Sequence, residues 1–194
     1  MIELDDQFVP NGVEPRLIDR GTVLRGGASV RVDRAGSRYG TMLSFPPMVP
    51  QRSRVLIADL LRAKREGLRV EVQLLGEGQG IPGVPVVDGA GQSGASIAIR
   101  GLTPAYIAKK GFWLNLIEAD GTRYLHNVSA TAVADGTGAA TVQIEPPLRA
   151  PFADGDTVEL AKPMIEGFVD GEEWSWSVPV NHLIAVSVPL EEYQ

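Results

Sequence analysis

One stretch has unambiguous helical character. In Ser53–Gly67 (SRVLIADLLRAKREG), Leu56, Ile57, Leu60 and Leu61 recur at i, i+1, i+4 and i+5, which draws one apolar stripe at helical period. Asp59, Arg62, Lys64, Arg65 and Glu66 occupy the opposite side. Ser53 is the expected N-cap and Gly67 the expected C′ residue, with Pro50 just upstream as a stop on the preceding strand. Burying the four apolar side chains is worth about 6–12 kcal/mol as an upper bound. A lone helix of this length is marginal in water, so it must lie on something. The rest of the chain reads as strand and turn, so its support is a sheet. The expected helix covers residues 53–66.

The chain has 194 residues, enough for one large domain or two small ones. Its 22 glycines and 14 prolines around a single helix mark a turn-rich, mainly β fold. The absence of cysteine removes disulfides, thiol catalysis and thiolate metal sites together. No apolar run reaches membrane-spanning length, and the acidic start MIELDD lacks a signal-peptide layout, so synthesis in the cytoplasm is expected, with no membrane partner. Net charge is −6, which disfavours wrapped nucleic acid. Residues 1–70 carry 12 basic and 8 acidic groups, whereas residues 71–194 carry 6 and 16. The imbalance is either chance decoration or two faces of opposite sign that meet in an assembly.

Along the chain, residues 1–20 form an arm with one or two short strands around the Pro10-Asn11-Gly12 turn, and 22–33 either two short strands about Gly26-Gly27 or one strand with a bulge there. Tyr39–Phe45 is a strand ending at Pro46-Pro47, and Leu68–Leu75 alternates cleanly. Gly76–Gly83 reads as a linker. Short strands follow at 84–87, 96–100, 112–117, 122–128, 131–133, 140–144 and 157–160, with hairpin chemistry at Asp120-Gly121 and a turn at Asp135–Gly138. Strands at 165–169, 174–178 and 183–188 are expected to return to the first sheet and close it. The expected layout is a split domain, residues 1–78 and 163–194, carrying the helix, with a small β-barrel of residues 79–162 inserted.

Signals of chemistry are weak. Gly78-Gln-Gly80-Ile-Pro-Gly83 and Gly89-Ala-Gly91-Gln-Ser-Gly94 match the dinucleotide fingerprint, but neither precedes a helix whose N–H groups could hold a pyrophosphate. Histidines 126 and 182 are isolated, which fits packing or surface roles rather than metal ligation. Glu172-Glu173 and Glu191-Glu192 are adjacent, so in strands they point to opposite faces. Asp154 and Asp156 flank a glycine, as turn residues do. A wall hydrolase would need Asp154, Asp156 or Glu145 as acids, and no Ser/His/acid order supports a triad. Trp174 and Trp176 share a strand face by alternation; with Trp113 they are either core and subunit contacts or stacking platforms for a sugar. No catalytic, cofactor or metal residues are expected, and the chain is read as not an enzyme.

Several ordered segments resemble distal tail proteins of long-tailed bacteriophages. They are VDGAGQSGASIAIRG from Val87, Arg123-Tyr124-Leu125, AVADGTGAATVQIEPPLR from Ala132 to Arg149, Gly155–Val158, Pro163 and Glu173–Trp176. Arg38–Met42, Pro46-Pro47-Met48 and the helix after them are also similar, so the resemblance covers most of residues 23–190. It implies a structural component of the tail tip: a hexameric ring joining the tail tube to the baseplate hub, through which DNA passes. It further implies a tail-tube-like β-sandwich domain with one α-helix, and an inserted OB-like barrel facing outward. Partners would be further copies of the chain, the tube protein and the hub protein, and the location the virion, after synthesis in the host cytoplasm. A bridge from Glu145 and Arg149 to a neighbouring subunit, and the lack of the large C-terminal sugar-binding domain of longer members, are expectations from the same resemblance. The alternative reading is a carbohydrate-binding module contacting the host surface.

Overall fold

A computed structural model of the chain describes residues 1–5, 7–27, 29–32, 36–72, 74, 78–169, 171, 174–178 and 183–193. In chain order its elements are β1 (Ile2–Glu3), β2 (Gly12–Ile18), β3 (Thr22–Leu24), β4 (Val30–Val32), β5 (Arg38–Met48), α1 (Pro50–Glu66), β6 (Leu68–Glu71), β7 (Gly83–Val87), β8 (Ser96–Leu102) and β9 (Ile107–Ala108). They continue with β10 (Trp113–Ile117), β11 (Arg123–Ala130), β12 (Ala132–Val133), β13 (Ala140–Glu145), β14 (Thr157–Glu159), β15 (Met164–Val169) and β16 (Ile184–Glu192). The chain is mainly β with one helix among the described residues. Internal contacts divide it into two units: Met1–Leu17, Tyr39–Val70 and Ile165–Gln194 make the first, and Ile18–Arg38 with Glu71–Met164 the second.

The first unit is an open six-stranded sheet in the order β1-β6-β15-β16-β5-β2. Antiparallel register sets Val188 opposite Leu43, Val186 opposite Phe45 and Leu190 opposite Thr41, so one face of the sheet is a continuous buried row. Helix α1 touches β1 and β16 and adds Leu56, Ile57, Leu60 and Ala63 to that core. Within this unit the described residues form no second sheet, and the sheet does not close on itself.

Three local expectations are corrected here. The helix begins at Pro50, not after Ser53: Val49 is the N-cap and Pro50 occupies the first turn, where a missing N–H costs nothing. Ser53 is fully buried and donates its hydroxyl to Pro50 O at 3.1 Å. Leu61 is 52% exposed, because it sits about 100° further round the helix than Leu60, and Ala63 takes the fourth core place. Gly67 does end the helix, at φ +82°, its N–H donating to Ala63 O at 2.7 Å.

Strand β5 runs through Pro46-Pro47 instead of stopping there. Met48 pairs with Ile184 and Phe45 with Val186, so the two prolines oppose the single residue Ala185. They form a β-bulge, the one place in a ladder where absent N–H donors are tolerated. Strand β6 ends at Glu71; Gln73 and Leu75 of the expected longer strand lie outside the described residues. Residues 174–178 are not a strand: they run irregularly, and only β15 and β16 of the three expected C-terminal strands join the sheet.

In the second unit, β10-β11-β13-β8-β7-β14 close into an antiparallel barrel of six strands. Alternation puts Ile97 and Ile99, Leu114 and Leu116, and Val142 and Ile144 into one buried cluster with Val87, Val128, Phe152 and Leu160. The β10–β11 hairpin turns at Asp120-Gly121 as expected, with Gly121 at φ +90° and Asp120 accepting Thr122 N–H at 2.8 Å. Strands β3 and β4 form a separate two-stranded ribbon.

Candidate functional site

The glycine-rich loops do structural work through their glutamines. After Gly94 the chain enters strand β8, not a helix, so no pyrophosphate cradle forms. Gln92 accepts Ala98 N–H at 2.7 Å and donates back to Ala98 O at 3.1 Å. Gln79, almost fully buried, does the same to Trp113, accepting its N–H at 2.5 Å and donating to its carbonyl at 2.7 Å, and it also donates to Leu160 O. Asn115, fully buried, accepts Met164 N–H at 2.5 Å and donates to Met164 O at 2.8 Å. Each side-chain amide copies the donor–acceptor pair of a strand residue and bonds both main-chain groups of one residue, Ala98, Trp113 or Met164. No periodicity reports these three amides; Asn115 shows only as a lone polar residue in an apolar run, and Gln79 and Gln92 as lone amides in glycine-rich loops.

The Asp154/Asp156 pair is turn chemistry. Asp154 accepts Gly89 N–H at 2.8 Å and pairs with the Arg100 guanidinium, which also reaches Asp88 Oδ1 at 2.8 Å. The Arg100 hydrogen bond, then that of Gly89, holds the Asp154 carboxyl below its usual range. Asp156 accepts Ala153 N–H at 2.7 Å. Both carboxylates are thus occupied, and Glu145 lies on the exposed side of β13. Among the described residues no group of three His, Asp or Glu is placed to hold a metal ion. Glu172, Glu173 and His182 lie outside the described residues.

Histidine 126 is fully buried in the barrel wall, opposite Leu114. Its Nδ1 stands 2.8 Å from Pro146 O, while Nε2 has no hydrogen-bond partner among the described residues. Arg149, expected at a subunit contact, lies over the Tyr124 ring at 5.1 Å within the same barrel. Trp174 and Trp176 do meet, at 5.1 Å between ring centroids, but tilted by 47° and without a strand beneath them. Trp174 donates its indole N–H to Ser187 O at 2.8 Å, and Trp176 is 40% exposed.

The surface carries more than the clefts do. In the β3–β4 ribbon, Leu24 pairs opposite Val30 and Thr22 opposite Val32, so these four side chains share one face. Leu24 is 57% exposed, Val30 54% and Val32 39%. A two-stranded ribbon is marginal in water even with one face covered, and here one face holds three aliphatics open to solvent. A groove of about 280 Å³ lies between the Phe8-Val9 segment and the Pro46–Val49 corner, with Arg52 at its rim. Arg52 spans that rim by donating to Gln7 O and lying 5.7 Å over the Phe8 ring. No helix among the described residues is long and apolar enough to cross a membrane.

No family model matches the chain, and no characterised protein matches it.

Proposed function

We propose that this chain is a structural ring subunit of a bacteriophage tail tip, six copies joining the tail tube to the baseplate hub around a passage for DNA. The observation that carries the reading is the β3–β4 ribbon, whose apolar face, Leu24, Val30 and Val32, nothing covers. The open six-stranded sheet adds support, because its borders β1 and β2 end without strand neighbours. A contact between different surfaces of successive copies covers such features and, when the rotation closes, makes a ring. In this reading the sheet unit is the tube-like domain and the barrel is the inserted OB-like domain. The chain acts in the virion as a scaffold rather than as an enzyme, meeting further copies of itself, the tube protein and the hub protein.

The test uses the absence of native cysteine. Val30→Cys places one thiol on the ribbon, and a maleimide–succinimidyl ester linker, which joins that thiol to a lysine of the next copy, gives crosslinked ladders up to a closed oligomer in assembled particles. Electron micrographs of particles labelled on this chain place it at the tail tip; label distributed elsewhere, or crosslinking that stops at monomer in particles, refutes the reading. Carbohydrate binding has one observation in its favour, the exposed Trp174–Trp176 pair, but a 47° tilt denies a sugar a flat platform. Titration with host polysaccharide under tryptophan fluorescence decides it, a saturable shift being required.

A further inference from the structure

The geometry points to an acid-operated latch in the barrel: protonation of His126 at Nε2 opens the barrel wall around that side chain. This inference rests on the barrel alone and is independent of the ring reading.

A backbone carbonyl only accepts, so the 2.8 Å contact between Nδ1 and Pro146 O fixes the proton on Nδ1. Nε2 then presents a bare lone pair within a fully buried site, with no donor to meet it. Leu114 stands opposite on β10, a strand without a charged residue, and Val128 shares the inward face of β11. On β13 the one charge, Glu145, sits beside Asn127 and faces outward. The crossover that follows contributes Leu148 to the core and one cation, Arg149. On His126's own strand, Tyr124 carries the Arg149 guanidinium on its ring and donates its hydroxyl to Glu118 at 3.0 Å.

An imidazolium here would sit dry, beside a cation and without an acceptor for its new N–H. The closed barrel therefore refuses the proton, and burial, followed by the charge of Arg149, pushes the imidazole down to about 3 from its ordinary 6.5. An opened barrel exposes the ring and takes one proton from solvent. Acid thus favours the open form by mass action, from pH 6.5 downward. The other perturbed barrel acids, Asp120, Asp135 and Asp154, start from an ordinary value of 3.8, so they act only in stronger acid. Between pH 6.5 and about 4 the effect belongs to His126. Protonation at Nε2 leaves the Nδ1–H donation to Pro146 O in place, so what yields is the buried packing around Nε2, which has no acceptor among the described residues.

The experiment is urea unfolding of the full chain at pH 7, 6, 5 and 4, with Trp174 and Trp176 replaced by Phe so that Trp113 on β10 is the sole reporter. The barrel-opening constant is expected to rise about tenfold per pH unit below 6.5 in the parent, and to lose that slope in His126→Gln. An unchanged slope in His126→Gln, or a flat parent, overturns the latch. Nitrogen-15 imidazole spectra of the wild-type chain need no variant: His126 stays neutral with its proton on Nδ1 at pH 4.5, and a titration midpoint near 6.5 in the native protein overturns the inference.

Discussion

Replacing Asn115 isolates what the barrel gains from an amide that imitates a peptide group. Asn115 is fully buried, and its side chain holds both the N–H and the carbonyl of Met164, at 2.5 and 2.8 Å. Asn115→Leu keeps the number and branching of the side-chain heavy atoms, so it leaves no cavity, and both Met164 groups lose their partner at once. A main-chain group stranded away from water costs about 1–3 kcal/mol, and Met164 is only partly buried, so the pair should cost about 2–4 kcal/mol. At an m value of about 1.5 kcal/mol/M, the urea midpoint falls by roughly 1.3–2.7 M. Asn115→Asp retains the acceptor for Met164 N–H but sets a carboxylate oxygen against Met164 O, and should cost at least as much. The assay is urea unfolding followed by Trp113, two residues away on the same strand, in a background with Trp174 and Trp176 changed to Phe. A midpoint for Asn115→Leu within 0.3 M of the parent would refute the role given to this amide.

Other outcomes test the remaining elements. Leu60→Asp puts a carboxylate at a fully buried helix position and should unfold the sheet unit, a loss above about 4 kcal/mol; a wild-type thermal melt would show that the helix is not docked. Gly167→Ala would bring a methyl group within 1.8 Å of Glu191 O on the adjacent strand, so β15 and β16 must part. Circular dichroism should show reduced strand content or insoluble protein, and a soluble variant melting like the parent would refute the close approach. Leu24→Asp with Val30→Asp should leave both units' melting unchanged, since the ribbon face is uncovered, while abolishing higher oligomers in sedimentation velocity. Oligomers that persist in the double variant would remove the ribbon from the assembly.

Much of the architecture can be read locally. The helix, the Asp120-Gly121 hairpin and the alternating Ile97/Ile99 and Val142/Ile144 pairs each depend on a periodicity or turn preference that a few neighbouring residues carry. Where local signals failed, a contact distant in sequence had overridden them. Pro46-Pro47 looked like a stop, and it became a bulge because β16 offers one residue opposite two. Trp174 and Trp176 alternate as a strand would, yet residues 174–178 take no strand partner and the Trp174 indole instead tethers the segment to Ser187. Leu61 belongs to the apolar composition of the helix, and only the direction of the sheet decides that Ala63 is inside and Leu61 outside.

The candidate surfaces divide in the same way. The residues alone establish a mainly β chain with one helix, strand character about Gly26-Gly27 and no visible catalytic spacing, because composition and short-range period are local quantities. That Leu24, Val30 and Val32 share an uncovered face follows from strand register. That the lone histidine at 126 has one nitrogen bonded and the other stranded follows from closing the barrel over it. Register and closure join residues tens of positions apart, and the free energy that selects them comes from burial summed over the whole unit, which no local stretch of sequence contains.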